Sequence, residues 1–253
     1  MRAVLTGEHP VLTKRRDQLK HIPSNPRCKL CAAPFAGPGG AVLRHFGFAR
    51  FYGNPTLCEN CISQFRKAGV FGAEIPLSML FADIRGSTGI GERMRPAAFR
   101  KYLADFYKVG SDVIFRHEGL VDKFVGDEVI GLFFGGITGP AHAAEAVAAA
   151  IELGAWARQP DASVEGPVPL GVAVHTGEAY VGTTGPEGAV DDFTALGDAV
   201  NTTARLASSA AAGEVIVSVA AAEAAGRAAD GVERRTLDLR GRHETVDVFV
   251  FAA

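Results

Sequence analysis

Two carboxylates lie at the ends of apolar segments, where a catalytic site could form. Asp83 ends the segment "LSMLFAD", and Asp127 lies in the turn of "DKFVGDEVIGLFF". The turn formed by Gly86, Ser87 and Thr88 follows Asp83, and its backbone amides suit phosphate oxygens while the carboxylate suits a bridging divalent cation. If the second segment forms a hairpin beside the first strand, the two aspartates converge and, with substrate phosphates, suffice for Mg²⁺. Alone, Asp127 is more simply a turn residue.

The segment of residues 122–134 also carries charge at the meeting point of two hydrophobic strands. Charged groups are costly to bury unless they are paired, bound to metal or used on a ligand. Lys123 is therefore a candidate ligand-binding residue, whereas Asp122 and Glu128 receive no role and are expected to be solvated. The chain contains no G-x-x-x-x-G-K-[ST] sequence, so it is not a P-loop protein.

The four cysteines form two C-x-x-C pairs separated by 26 residues, and the chain has no other cysteine. This spacing favours a tetra-cysteine metal site over disulfides. Zinc in such a site is structural, while an iron–sulfur cluster and a redox dithiol switch stay open as alternatives. His45 could also bind metal, but four thiolates already complete a tetrahedral site. The candidate ligands are Cys28, Cys31, Cys58 and Cys61.

The composition, 47% hydrophobic and 21% charged, is that of a globular protein. We expect a cytoplasmic protein, since the sequence shows no secretory signal and no apolar stretch long enough to span a bilayer. Charge is unevenly spread: residues 1–73 hold 11 Lys/Arg against 3 Asp/Glu, and the remainder holds 15 against 25. The basic part is a solvated face, or it faces nucleic acid, an anionic surface or the acidic part.

The pattern predicts a basic arm at 1–21, the cysteine module with its linker at 22–75, and a larger domain at 76–253. In the larger domain, strands alternate with helices, and some strands are linked as hairpins. This arrangement indicates an α+β sheet with helices on one face. A turn at residues 175–178 is predicted to divide "PLGVAVHTGEAYVGTTG" into two strands.

Four ordered motifs, "FADIRGST", "DKFVGDEVIGLF", "GVAVHTGEAYVG" and "FTALGDAVNTTARL", give residues 76–252 a resemblance to class III nucleotidyl cyclases. The resemblance implies a ferredoxin-like α+β catalytic fold that acts as a homodimer, with ATP as substrate and active sites built from both chains. It also implies two Mg²⁺ or Mn²⁺ ions per site, bound by Asp83, Asp127 and the carbonyl of Ile84. Asp83 is the usual candidate for the general base.

The resemblance assigns the remaining site residues one by one. Asn201 orients the ribose and Arg205 stabilises the transition state, while Arg240 falls where the family holds the terminal phosphates. Lys123 reads the purine, and its partner Thr194 makes a Lys/Thr pair similar to the subclass that includes bicarbonate-responsive soluble adenylyl cyclases. A threonine hydroxyl accepts from the adenine amino group but also donates.

The sequence therefore predicts an adenylyl cyclase whose activity is set by the cysteine module. One alternative is a cyclase that uses GTP or both nucleotides. Another is a zinc protein that binds nucleic acid or a partner and carries a degenerate cyclase domain, for which the basic N-terminal part is the support. Nucleic-acid binding is the less favoured expectation.

Overall fold

A computed structural model describes residues 1–67, 69, 71–161, 164, 166–184, 192–227, 231–239 and 245–252. The helices are α1 (Arg2–Leu5), α2 (Pro10–Leu19), α3 (Gly37–Arg44), α4 (Glu59–Lys67), α5 (Ser87–Arg93), α6 (Pro96–Arg116), α7 (Gly135–Thr138), α8 (His142–Ala157), α9 (Asp198–Ser209) and α10 (Val219–Ala224). The strands are β1 (Gly72–Ile84), β2 (Leu120–Val125), β3 (Glu128–Phe133), β4 (Pro160–Asp161), β5 (Gly166–Pro167), β6 (Leu170–Thr184), β7 (Asp192–Leu196), β8 (Glu214–Ser218), β9 (Glu233–Leu237) and β10 (Val246–Ala252). Among the described helices, none has both the length and the apolar character needed to cross a membrane.

A mixed sheet forms the centre of the molecule, with strand order β2-β3-β1-β6-β8-β10-β9 and with β7 paired to β6. β1 and β6 make a long antiparallel ladder from Gly72↔Gly182 to Ile84↔Leu170, and β6 pairs with β8 in parallel. The predicted hairpin of β2 and β3 is confirmed, and β3 lies beside β1. β1 begins at Gly72, within the range 22–75 that was predicted to hold the cysteine module and its linker.

The predicted turn at residues 175–178 is wrong, because β6 continues through it. His175 and Gly177 both pair with β1, opposite Met79 and Leu77. The glycine that suggested a turn has a packing role instead: a Cβ at Gly177 would lie 2.9 Å from the Cβ of Ala199 on α9. A glycine within a strand commonly marks such a close approach of another element.

The sheet is covered on both faces, so the prediction of helices on one face is also wrong. Successive residues of β1 point to opposite sides. Leu80 and Ala82 pack in a core with α6, α8 and α10. Met79 and Phe81 pack in a second core that contains α9, α1 and the cysteine module. The N-terminal part of the chain therefore contributes directly to the core of the sheet.

Candidate active site

Asp83 and the turn that carries Asp127 lie next to each other at one end of β1. Asp83 is opposite Glu128 in the β1–β3 ladder, and the Ile84 amide donates a hydrogen bond of 3.2 Å to the Asp127 carbonyl. The hairpin thus lies where the convergence of the two aspartates requires it. By alternation along β1, Asp83 is on the face covered by α9. The two carboxylates are oxygen donors of the type that Mg²⁺ and Mn²⁺ prefer.

The basic residue Arg85 lies beside these carboxylates, and no role was predicted for it from the sequence. Its guanidinium makes an ion pair with Asp83 and donates to the Ser208 carbonyl at the end of α9, 3.3 Å away. Burial lowers the pKa of Arg85, and the charges of Asp127 and Glu128 oppose that change. The sequence feature that could have indicated this contact is the position of Arg85 two residues after Asp83.

Lys123 and Thr194 are brought together although their strands are not paired. Lys123 belongs to β2, and Thr194 lies in β7 opposite Gly182 of β6. The Thr194 hydroxyl donates to Oδ2 of Asp122 over 2.9 Å, and Lys123 Nζ lies 3.9 Å from the same oxygen. Lys123 Nζ also lies 2.7 Å from Oδ2 of Asp192. One carboxylate therefore joins the two residues predicted to read the purine.

The expectation that Asp122 is solvated is wrong, because its side chain is only 5% exposed. The register of β2 against β3 moves from Val121↔Gly131 to Lys123↔Ile130, which leaves Asp122 as an extra residue in a bulge. Adjacent strand residues normally point to opposite faces, and a bulge re-aims one of them. Asp122 and Lys123 can therefore both reach the same group of polar side chains. Glu128 is likewise half-buried, and burial raises its pKa to about 7.

Burial raises the pKa of Asp122 to about 6, against the opposing effects of Lys123 and Thr194. The ionised carboxylate is thus destabilising in the folded state above pH 6, and this penalty disappears as the pH falls below about 4, the ordinary aspartate pKa. We expect Asp122→Asn to raise the free energy of unfolding at pH 8 by up to about 3 kcal/mol. Urea unfolding at pH 8 and at pH 4.5 measures this. An equal effect at both pH values would contradict it.

Asn201 and Arg205 lie one turn apart on α9, away from the sheet. The helix packs on the sheet through its opposite side, where the buried residues are Ala199, Thr202, Thr203, Leu206 and Ala207. Asn201 is exposed and Arg205 is half-buried. Neither side chain forms a hydrogen bond or ion pair with another described residue. Within one chain, no hydrogen bond or ion pair joins this pair to Asp83 or Lys123. Asp83 pairs instead with Arg85, and Lys123 pairs with Asp192.

The predicted phosphate-binding residues are placed only in part. Gly86 has a positive φ of 67° and precedes the first turn of α5, which contains Ser87 and Thr88. Ile84 and Arg85 separate Asp83 from this turn. Arg240 lies outside the described residues.

The four cysteines converge in the N-terminal module. All four are buried, and their sulfur atoms lie within 4.8 Å of one another. Cys28 and Cys61 are 4.0 Å apart, and Cys31 and Cys58 are 3.7 Å apart. Tetrahedral zinc with Zn–S bonds of about 2.3 Å places its sulfur ligands about 3.8 Å apart. The cluster thus fits one metal ion, and His45 is exposed outside it.

The cysteine module is joined to β2 by a buried hydrogen bond. Asn54, which is 1% exposed, donates from Nδ2 to the carbonyl of Val121 over 3.0 Å. Val121 directly precedes the bulge at Asp122. Lys29, next to the first cysteine, donates to the Phe115 carbonyl and lies 3.5 Å from Glu118. The module is therefore anchored on both sides of the loop that leads into β2.

Comparison with known proteins shows which family the chain belongs to. Residues 74–252 match the family model described as the adenylate and guanylate cyclase catalytic domain. An adenylate cyclase of Anabaena cylindrica is 32% identical over 133 residues, which is 51% of this chain and 26% of that protein. The chain thus spans about a quarter of this relative's length.

Two solved structures share the fold. The guanylyl cyclase Cya2 superposes with a TM-score of 0.66 at 29% identity, covering 72% of this chain and 93% of that one. The adenylyl cyclase CyaB from P. aeruginosa gives a TM-score of 0.60 at 26% identity, covering 71% and 94%. Since the family match covers most of the chain and the structures agree with it, the protein belongs to the class III adenylate and guanylate cyclase catalytic domain family.

Proposed function

We propose that the chain is an adenylyl cyclase, which converts ATP to 3′,5′-cyclic AMP and pyrophosphate. The observation that carries this proposal is the convergence of Lys123 and Thr194 on the Asp122 carboxylate. An ammonium group donates to the N1 acceptor of adenine, and a threonine oxygen accepts from the N6 amino group. The two side chains together complement the edge of adenine.

In the proposed reaction, the ribose 3′-hydroxyl attacks the α-phosphorus and pyrophosphate leaves. Asp83, Asp127 and the Ile84 carbonyl would hold two Mg²⁺ or Mn²⁺ ions, which would supply positive charge to the 3′-hydroxyl oxygen and to the triphosphate. Arg205 stabilises the negative charge that develops on the α-phosphate. Asn201 orients the ribose, and a carboxylate oxygen of Asp83 is the candidate acceptor for the 3′-hydroxyl proton. The first turn of α5 and Arg240 hold phosphates.

A second copy of the chain would complete the site. Asn201 and Arg205 are on the outer side of α9 and form no hydrogen bond or ion pair with the aspartates or Lys123 within one chain. Each chain carries both groups. A homodimer that pairs the aspartates of one chain with the Asn201 and Arg205 of the other would therefore form two sites.

For the cysteine module we propose a structural zinc site with a regulatory role. The narrow spread of the sulfur atoms supports a single ion, since a cluster distributes its cysteines over several irons. The thiols fit a cation chemically as well, because all four are buried and a bound cation takes them as thiolates and compensates their charge. Thiols that are not joined in disulfides suit a reducing cytoplasm, where we propose that the protein acts.

Nucleotide preference is the direct test of the proposed activity. The purified chain should turn over ATP with a kcat/KM at least about tenfold above that for GTP, in Mg²⁺ and in Mn²⁺. The reason is that N1 of guanine carries a hydrogen, so two hydrogen-bond donors would face each other at the Lys123 ammonium. Chromatography of the cyclic products measures both rates. Equal rates would indicate a dual-specificity enzyme. A preference for GTP would favour the second candidate, a guanylyl cyclase, which the likeness to the Cya2 structure supports.

A further inference from the structure

A threonine beside the purine leaves the choice of base undecided, because its hydroxyl is both a donor and an acceptor. The N6 amino group of adenine needs an acceptor at this place, whereas the O6 carbonyl of guanine needs a donor. The role of Thr194 therefore depends on where its own hydrogen goes.

In the structure, the Thr194 hydroxyl donates its hydrogen to Asp122. Thr194 is 4% exposed, and its Oγ1 donates to Asp122 Oδ2 over 2.9 Å. An ionised carboxylate has no hydrogen to give back, so it only accepts. With its hydrogen engaged, the Thr194 oxygen retains lone pairs alone for a ligand.

The surroundings of Asp122 strengthen this arrangement. Lys123 Nζ lies 3.9 Å from Oδ2, and a nearby positive charge favours the ionised carboxylate. The second oxygen, Oδ1, is buried and has no hydrogen-bond partner among the described residues. An unpaired buried carboxylate oxygen is costly to the fold, which argues against a purely structural reason for Asp122.

We propose that Asp122 is the positioning residue that sets base selection: by taking the hydrogen of Thr194, it turns an ambivalent hydroxyl into an acceptor, which selects adenine and rejects guanine. This inference rests on the proposed cyclase activity and refines it. Asp122 acts through Thr194, and the bulge in β2 is what allows Asp122 and Lys123 to serve one ligand.

Asp192 provides a matched control. Its carboxylate lies 2.7 Å from Lys123 Nζ, and its side chain is 41% exposed. The Thr194 hydroxyl donates to Asp122 instead. An Asp192→Asn change thus removes the same charge from the neighbourhood of Lys123 and leaves the direction of the Thr194 hydrogen unchanged.

The test compares kcat/KM for ATP and for GTP in the full chain and in both variants. In Asp122→Asn, the carboxamide can donate to Thr194, which then presents its hydrogen to the purine. We expect the ATP/GTP ratio to fall by about tenfold or more. In Asp192→Asn, both substrates should be affected alike, and the ratio should stay within about twofold of the parent value.

A second variant, Thr194→Val, removes the hydroxyl at nearly constant volume. It should lower the ratio as well, and adding Asp122→Asn to it should then change the ratio no further. A ratio that Asp122→Asn or Thr194→Val leaves at the parent value would overturn the inference. If the parent chain itself prefers GTP or forms no cyclic nucleotide, the proposed adenylyl cyclase activity fails instead. The two failures are therefore distinguishable.

Discussion

An Asp127→Asn variant should form cyclic nucleotide about a hundred- to a thousandfold more slowly than the parent chain. The change removes one of two carboxylates that would hold the catalytic cations while preserving the size of the side chain. The hydrogen bond that ties the turn to β1 uses the main-chain carbonyl of Asp127, so the hairpin should keep its place. Initial rates at saturating ATP and Mn²⁺, with the melting temperature measured alongside, give the result.

Two companion experiments make that result specific. Asp105→Asn removes an exposed carboxylate from α6, where it pairs with Lys101, and should leave the rate unchanged. Mixing Asp127→Asn chains with Arg205→Ala chains should restore part of the activity, since one mixed dimer site would contain both intact groups. Full activity of Asp127→Asn alone would remove the proposed mechanism. Inactive mixtures of stable dimers would remove the shared site.

Loss of a metal-ligand thiol should have the largest effect on stability. We expect Cys58→Ser to abolish stoichiometric zinc binding and to lower the melting temperature by about 10 °C or more, because the free energy of metal binding is part of the folding free energy of such a module. The module shares its core with β1, so the effect should extend to the sheet. Metal analysis and thermal unfolding of the full chain measure both quantities.

His45→Ala is the control for that variant, since His45 is exposed and outside the sulfur cluster. It should retain one zinc per chain and the parent melting temperature. A brown colour and bound iron in the purified protein would indicate an iron–sulfur cluster in place of zinc. If Cys58→Ser kept both its metal and its stability, the tetra-cysteine site would be wrong.

Local pattern was sufficient for the elements that position the aspartates. The hairpin around Asp127 follows from a Gly-Asp turn between apolar segments. This feature depends on neighbours in sequence. The placement of Lys123 near Thr194 came from the resemblance, because the residues are far apart along the chain and their strands do not pair.

Features that depend on tertiary packing were not predictable in the same way. Gly177 reads as a turn residue in isolation, and only the approach of Ala199 shows why a strand needs glycine there. Asp122 reads as a surface charge because a period-two pattern cannot reveal a bulge, which is a property of the register with β3. The ion pair of Arg85 with Asp83 likewise required the geometry at the end of β1.

The hydrogen bond from Asn54 to Val121 has a thermodynamic consequence for the proposed regulation. It connects the folding of the metal module to the bulge that presents Asp122 and Lys123. If metal binding raises the affinity for nucleotide through this contact, linkage requires nucleotide to raise the affinity for metal by the same factor. A saturated enzyme would then retain zinc more tightly than an idle one. Zinc loss would thereby depend on the nucleotide supply, and the module would respond to both.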